Sequence, residues 1–267
     1  MSADAIIERL AGAAVVERTP MAGGDLSGVA QATLADGRTI VAKSGPSVAS
    51  EARMLAALAA NGAPAPAVIA IENDLLLMTC LPADGRLSGS AWNDLAAVLG
   101  DLHRPRDQPY GWEEDYAFGP VAIVNRRETH WSHFWAAHRL RCHLARLPPA
   151  IGRRIERLAD RLDEHLPDRP PPALLHGDLW GGNVLVSGGR ISGLIDPACY
   201  LGDREVDVAM LTLFDRPPPS FFDALDLAPG WRERLPVYRL WPLLVHVRLF
   251  GGGYLTSVER DLASLGA

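Results

Sequence analysis

The chain reads as an α+β protein of two lobes. A small β-rich lobe is expected over residues 1–80 and a larger, mainly helical one over residues 81–267. Three observations point there. Between residues 14 and 79, short apolar and β-branched runs alternate with turn residues. Beyond residue 90, apolar side chains recur at helical spacing in segments too long for strands. Leu81-Pro82-Ala83-Asp84-Gly85 lies between the two regions and has the makeup of a linker.

Residues 1–12 form an amphipathic helix pattern, followed by a strand-like stretch at Ala14–Arg18. Gly23, Gly24 and Gly28 then punctuate a turn before two strands, Val29–Leu34 and Arg38–Lys43. Ala35-Asp36-Gly37 joins those strands, and Asp-Gly tolerates the positive φ of a tight hairpin turn. Ser50–Ala60 is expected to be helical, with Ser50 as N-cap and Asn61-Gly62 as the stop. A second hairpin follows, Val68–Ile71 and Leu75–Met78, turning at Asn73-Asp74. Helices are expected over Ala91–His103, Trp131–Leu147, Ile151–Leu166, residues 204–214 and residues 236–250. No internal repeat or low-complexity tail occurs.

Composition narrows the function classes. The chain has 267 residues, 48% hydrophobic and 22% charged, with a net charge of −6. A nucleic-acid binder draws on basic residues for phosphate, so no nucleic-acid partner is expected. Local donors can still hold a nucleotide. The three cysteines, Cys80, Cys142 and Cys199, are odd in number and widely spaced, which fits reduced thiols in a cytoplasm. The N-terminus carries acids and resembles a helix start, not a signal peptide. No apolar run reaches the ~18 residues of a membrane helix, so no membrane partner is expected.

The chemistry concentrates in His176-Gly177-Asp178-Leu179-Trp180-Gly181-Gly182-Asn183 and in Ile195-Asp196-Pro197. An Asp, an Asn five residues later and an Asp thirteen residues beyond match a kinase-type phosphoryl-transfer site. Asp178 is the candidate to orient an attacking hydroxyl, and Asn183 and Asp196 are the candidates to hold Mg²⁺. An isolated D-x-x-x-x-N would more often cap a turn. Here a His-Gly prefix, an intervening apolar strand and the Ile-Asp pair outweigh that reading. Lys43 ends a strand, where a kinase lysine grips nucleotide phosphates, and Glu51 lies in the next helix as its pairing acid. Gly23, Gly24 and Gly28 stand where backbone amides could cover phosphates, although no Walker-type motif occurs. His176 is expected to fix its loop. Trp180 is open to two readings, an acceptor wall or core packing. Asp203 is a candidate contact for a cationic substrate, whereas Asp207 is expected in an internal hydrogen-bond network at a helix start.

Taken with Gly202-Asp203-Arg204-Glu205-Val206-Asp207, Leu249-Phe250-Gly251-Gly252-Gly253-Tyr254, Tyr110-Gly111-Trp112 and Trp131–Leu140, these motifs closely resemble the fructosamine kinase (ketosamine 3-kinase) family. The resemblance covers nearly the whole chain. It implies a bilobal protein-kinase-like fold shared with aminoglycoside phosphotransferases. It also implies ATP and Mg²⁺ as cofactors and phosphorylation of a ketosamine at the sugar O3, which would promote deglycation. Asp178 matches the family's catalytic acid, Asn183 and Asp196 its metal ligands, Lys43 and Glu51 its phosphate-binding pair, and Gly23 to Gly28 its glycine loop. The main chain of Thr79 and Leu81 falls at the family's adenine hinge. The partner expected is a small ketosamine or a glycated amine or protein, met by a monomer or weak homodimer.

Some positions depart from the family pattern. The loop reads GGDLSGV without the cysteine some members carry, so disulfide-linked regulation is not expected. Met78-Thr79-Cys80-Leu81 lacks the acid often found at the hinge. A kinase for another hydroxylated acceptor (an aminoglycoside, choline or a sugar) and a non-catalytic ATP-binding regulator are the two alternatives.

Overall fold

The computed structural model describes residues 2–21 and 28–267. In chain order, the first elements are α1 (Ala3–Ala11), β1 (Val15–Pro20), β2 (Gly28–Leu34), β3 (Thr39–Ser44), α2 (Val48–Ala60), β4 (Val68–Glu72), β5 (Leu75–Thr79) and α3 (Ala91–Leu102). Next come β6 (Tyr116–Phe118), β7 (Val121–Ile123), α4 (Trp131–Trp135), α5 (Pro149–Ala159), β8 (Ala173–Leu175), β9 (Val184–Ser187), β10 (Arg190–Leu194) and β11 (Tyr200–Gly202). The helices α6 (Glu205–Phe214), α7 (Pro219–Leu225), α8 (Trp231–Phe250) and α9 (Leu255–Ser264) complete the order. The chain divides into two compact units, Met1–Val98 with Gly182–Pro197, and Leu99–Gly181 with Ala198–Ala267. The lobe boundary expected after residue 80 falls inside the first unit.

In the first unit, β1 to β5 form an antiparallel sheet in the order β1-β2-β3-β5-β4. The β2–β3 turn closes as expected, with Leu34 N–H donating to Arg38 O at 2.9 Å and Gly37 at φ +87°. Alternate residues of β2 (Ala30, Ala32, Leu34) are buried. Ala32, Leu34, Ile40 and Leu77 pack with Ile7 and Ala11 of α1. Val41, Leu76 and Met78 pack with Val48, Ala52 and Leu55 of α2. Each helix therefore buries its apolar stripe against the sheet. The β9–β10 hairpin is stitched to the segment after β5. Gly85 N–H donates to Val186 O at 2.9 Å, Ile191 N–H to Asp94 Oδ2 at 2.7 Å and Leu194 N–H to Pro64 O at 2.8 Å. These bonds bring 182–197 into the same unit as the β-rich N-terminal region.

The second unit is built around aromatic side chains. Trp131, Phe134 and Trp135 of α4 are fully buried with Tyr200 and Tyr238. Arg139 lies among them, its guanidinium 4.6, 4.2 and 4.8 Å from the rings of Phe134, Tyr200 and Trp241. It donates to Val124 O at 2.8 Å and to Asn125 Oδ1 at 2.7 Å. Delocalised charge and flat faces let a guanidinium survive such burial, where an ammonium would lose more hydration.

Several expectations need correction. α2 starts at Val48 after Ser47, two residues earlier than expected, so Ser50 lies within the helix and does not cap it. The segment expected as one helix over Trp131–Leu147 is three pieces: α4, a π turn at Ala136–Leu140 and a 3₁₀ stretch at Arg141–Arg146. Its wide turn carries the inward-facing Arg139, a tertiary demand that helical periodicity does not record. α5 stops at Ala159, short of the expected Leu166. α7, α9 and the short strands β6, β7 and β11 were not anticipated.

A buried relay links α4, α8 and the turn between β11 and α6 in this unit. Trp131 Nε1–H donates to Tyr238 Oη at 2.9 Å, and Tyr238 O–H donates to Asp203 Oδ2 at 2.7 Å. Tyr238→Phe would leave a buried indole N–H and a carboxylate oxygen without that partner. A loss of about 1–3 kcal/mol is expected. Urea unfolding of the variant checks it, and an unchanged midpoint would show that the relay adds nothing.

Candidate active site

β8 is wholly buried and pairs antiparallel with β11, Leu175 opposite Tyr200. At its end, His176 O accepts from Ala198 N–H at 2.9 Å. Gly177 then takes φ +80°, and a Cβ at this position would stand 2.0 Å from Ala198 O. Only glycine fits both the left-handed backbone and that approach.

Asp207, in the first turn of α6, holds this loop from within. Its Oδ2 accepts from His176 N–H and its Oδ1 from Gly177 N–H, each at 2.9 Å, and His103 Nε2 lies 2.9 Å from Oδ2. The residue is 0% exposed. Burial alone would push its pKa up. The His103 hydrogen bond, the charges of His103 and His176 and the Gly177 amide outweigh that and hold it below the ordinary carboxylate value. Asp178 N–H donates to His176 Nδ1 at 3.3 Å, tying the start of the acid's backbone to the imidazole. Asp178 itself is half-buried, followed by the fully buried Leu179. Gly181 N–H donates to Asp215 Oδ2 at 2.7 Å, tying the far end of the loop to the end of α6.

The other candidates meet in the first unit. Lys43 lies on β3, a central strand paired on both sides, opposite Val29 of β2 and Leu76 of β5. Its Nζ is 2.8 Å from Glu51 Oε1 and 2.5 Å from Asp196 Oδ1. Lys43 and Glu51 are both buried. Burial pushes the Lys43 ammonium down, but the charges of Glu51 and Asp196 prevail, and its pKa lies above the ordinary value. Burial raises the pKa of Glu51, with the Lys43 ammonium opposing and the Asp196 charge assisting.

The β9–β10 hairpin pairs Val184 with Leu194, and Asn183 O accepts from Ile195 N–H at 3.0 Å. Asn183 and Asp196 therefore stand at the same open end of one hairpin. Asp196 takes φ +52°, a left-handed backbone that Asp tolerates better than most residues.

Gly23 and Gly24 lie outside the described residues. Gly28 opens β2 opposite Ser44, whose Oγ–H donates to its carbonyl at 3.2 Å. Thr79 ends β5 with its N–H already given to Ala67 O at 2.9 Å, so a nucleotide contact there would use its carbonyl. Leu81 packs its side chain over Gly193, where any larger residue would collide with it. Trp180 is 40% exposed, with its ring centroid 5.9 Å from that of Phe214, so core packing does not describe it.

Asp203 differs from expectation. It is buried, with Oδ2 bonded by Tyr238 and Oδ1 accepting from Glu205 N–H at 3.0 Å, and burial raises its pKa. Its place is that of an internal anchor and not of a side chain open to a substrate. The neighbouring Glu205 is likewise paired with Arg234 at 2.6 and 2.7 Å. Sequence reasoning missed His103 and Asp215, which lie far from the motif along the chain and carry no local signature. It also did not foresee that the Asp207 network holds the His176-Gly177 backbone.

The donor set suits Mg²⁺. Asn183 and Asp196 provide an amide and a carboxylate oxygen, and this ion is usually held by one or two protein ligands with water and phosphate completing its shell. Among the described residues no group of three or more His, Cys, Asp or Glu could hold a metal.

Comparison with known proteins matches residues 3–266 to the fructosamine kinase family model. A "probable ketoamine kinase" of Escherichia coli is 37% identical over 205 residues, 73% of this chain and 70% of the relative. One from Thermus thermophilus is 35% identical over 260 residues, 92% of each chain. Among solved structures, a Thermobifida fusca protein provisionally assigned as a fructosamine-3-kinase superposes with a TM-score of 0.90 at 32% identity, covering 100% of this chain and 99% of that one. The aminoglycoside phosphotransferase APH(4)-Ia, solved with ADP and hygromycin B, has a TM-score of 0.67 at 16% identity over 99% of each chain, a likeness of fold alone. The kinase-like α+β fold expected from the motifs is thereby established.

Because Asp207 has a depressed native pKa, its contribution to stability is fully present above the ordinary carboxylate range and is lost as pH falls through the native value. Asp207→Asn is expected to lower stability by about 3 kcal/mol at neutral pH. The gap from wild type should narrow below about pH 4. Denaturant unfolding at several pH values measures it, and a gap independent of pH would refute the assignment.

Proposed function

This chain belongs to the fructosamine kinase family and is a phosphotransferase, and on that premise we propose that it transfers the γ-phosphoryl group of ATP to a sugar hydroxyl, O3, of a ketosamine. The observation that carries the reading is the buried Lys43, held between Glu51 and Asp196. A buried ammonium fixed by two carboxylates is a positioned positive charge, suited to nucleotide phosphates.

In this reading Asp178 orients the acceptor hydroxyl and takes its proton late, as the hydroxyl oxygen bonds to the γ-phosphorus and the bond to the β-phosphate oxygen breaks. Asp207 and His176 act through the backbone, fixing where Asp178 begins. Lys43 offsets charge on the α- and β-phosphates, and Glu51 keeps its ammonium in place. The glycine loop of residues 23–28 and the main chain of Thr79 and Leu81 are the proposed nucleotide contacts. Mg²⁺ would be held by Asn183 and Asp196, and when bound it supplies positive charge against the phosphate oxygens. A sugar phosphorylated next to its ketone-bearing carbon becomes prone to loss from the amine, which makes deglycation the expected consequence. Among the described residues no helix is long and apolar enough to cross a membrane.

Asp178→Asn should leave ATP binding nearly intact and lower turnover at least ~100-fold. Nucleotide titration and single-turnover phosphate transfer check the two halves, and wild-type turnover would sink the role of Asp178. The substrate class is tested by ADP release with ribulose-, erythrulose- and fructose-amine adducts, with choline and an aminoglycoside as controls. Release with the ketosamines is expected. Release with the controls alone would keep the kinase and overturn its substrate.

A further inference from the structure

Trp180, Phe214 and Phe250 are 40%, 41% and 52% exposed, the three aromatic side chains among the large hydrophobic residues that the described part of the chain leaves in solvent. They are not scattered. Trp180 contacts Phe214 at 5.9 Å between centroids, Phe214 contacts His246 at 5.4 Å, and His246 contacts Phe250 at 5.5 Å and Tyr254 at 4.8 Å. One continuous ring strip thus runs from the catalytic loop, across the end of α6, to the end of α8 and the turn before α9. Exposed aromatic area of this kind, contiguous rather than isolated, marks a binding surface. The strip begins two residues after Asp178.

Asp215 follows Phe214 directly, and its carboxylate accepts Gly181 N–H. Among the described residues no Lys, Arg or His forms an ion pair with that carboxylate. Arg216 gives its Nη1–H to the main-chain carbonyl of Asp215, and Arg239 gives both its bonds to Thr212 Oγ1. His246 Nδ1 lies 2.7 Å from Pro242 O, a pure acceptor, so the ring donates there and carries its lone pair on Nε2. The ring faces, the Asp215 carboxylate and the imidazole lone pair are electron-rich, while the Arg216 and Arg239 guanidiniums are engaged by Asp215 O and Thr212 Oγ1. Such a wall attracts an organic cation and repels phosphate or carboxylate.

We propose that Trp180, Phe214, Asp215, His246, Phe250 and Tyr254 form the subsite for the amine half of the acceptor, the protonated secondary ammonium that joins the sugar to the rest of a ketosamine. The proposal rests on the ketosamine reading above and adds to it how the enzyme selects an aminated sugar over the sugar alone. The ammonium lies against the ring faces with Asp215 as its counter-charge. The sugar, one bond away, is left toward Asp178. Because the strip continues along α8 to an open edge, the substituent beyond the nitrogen can be long, as in a glycated side chain.

The test uses the full chain with Mg²⁺-ATP and a fructosyl-alkylamine, comparing wild type with Asp215→Asn and Phe250→Ala. Asparagine keeps an oxygen for Gly181 N–H while removing the charge, and Phe250 is a solvent-exposed ring, so neither change disturbs the core. The expected result is a rise of about 5- to 30-fold in KM for the ketosamine in each variant, the scale of one cation–π or charge contact, with KM for ATP within about twofold. Benzylammonium should compete with the ketosamine in wild type and do so more weakly in both variants by a similar factor. A ketosamine KM that stays within twofold in both variants overturns the proposal, as does an equal rise in KM for ATP, which would signal general damage. If wild type itself releases no ADP with any ketosamine, the substrate reading fails first and takes the subsite with it, a result visible before any variant is made.

Discussion

The buried carboxylate of Asp207 is the constraint on which the rest of the His176–Asn183 loop depends. Three donors from two distant stretches of chain converge on it, the amides of His176 and Gly177 and the ring of His103. A charge in a dry interior is unfavourable unless its lone pairs are satisfied, and here they are satisfied by the backbone that precedes Asp178. Moving that backbone would strip partners from a buried charge. The loop is therefore held in one conformation before any substrate arrives. Gly177 completes the constraint, because its positive φ and its closeness to Ala198 O admit no side chain.

The first unit solves a similar electrostatic problem with the opposite sign. Lys43 is a buried cation on a central strand, and it is kept charged by Glu51 from α2 and Asp196 from the end of the β9–β10 hairpin. Each partner makes the others tolerable: the carboxylates hold the ammonium's pKa up, and the ammonium opposes the protonation that burial favours in Glu51. The two units also differ in how they house a charge among apolar atoms. Arg139 in the second unit rests on ring faces and carbonyl oxygens, with no carboxylate partner among the described residues, while Lys43 is met by full counter-charges. That contrast follows from the diffuse charge of guanidinium and the compact charge of ammonium.

Much of the fold was legible wherever structure depends on neighbours in the chain. The hairpins at Asp36-Gly37 and Asn73-Asp74, the amphipathic α1, and α3 follow from turn chemistry and periodicity within a few residues. The Lys43–Glu51 pair was also legible, because a strand-end lysine and a first-turn acid eight residues on leave little freedom. Reading failed where tertiary packing overrode local preference. Trp131–Leu147 has helical spacing throughout, yet the inward turn of Arg139 opens a π turn and a 3₁₀ stretch. Asp203 looked like an acid available to a cation, but Tyr238, 35 residues away, consumes it.

By itself, the amino-acid sequence determined which side chains are present and in what order, with Asp178, Asn183 and Asp196 at the spacing proposed here for a phosphoryl-transfer site. Spacing along the chain suffices there, because a single loop and a single hairpin carry all three. Only the tertiary structure decided which charges are buried, which donor meets Asp207, and that Trp180, Phe214, His246 and Phe250 form one continuous strip beside an Asp215 carboxylate that, among the described residues, forms no ion pair. Most of those relations join residues 30 or more positions apart, up to 104 for His103 and Asp207. They are set by which surfaces the core leaves in water, a quantity no local pattern encodes.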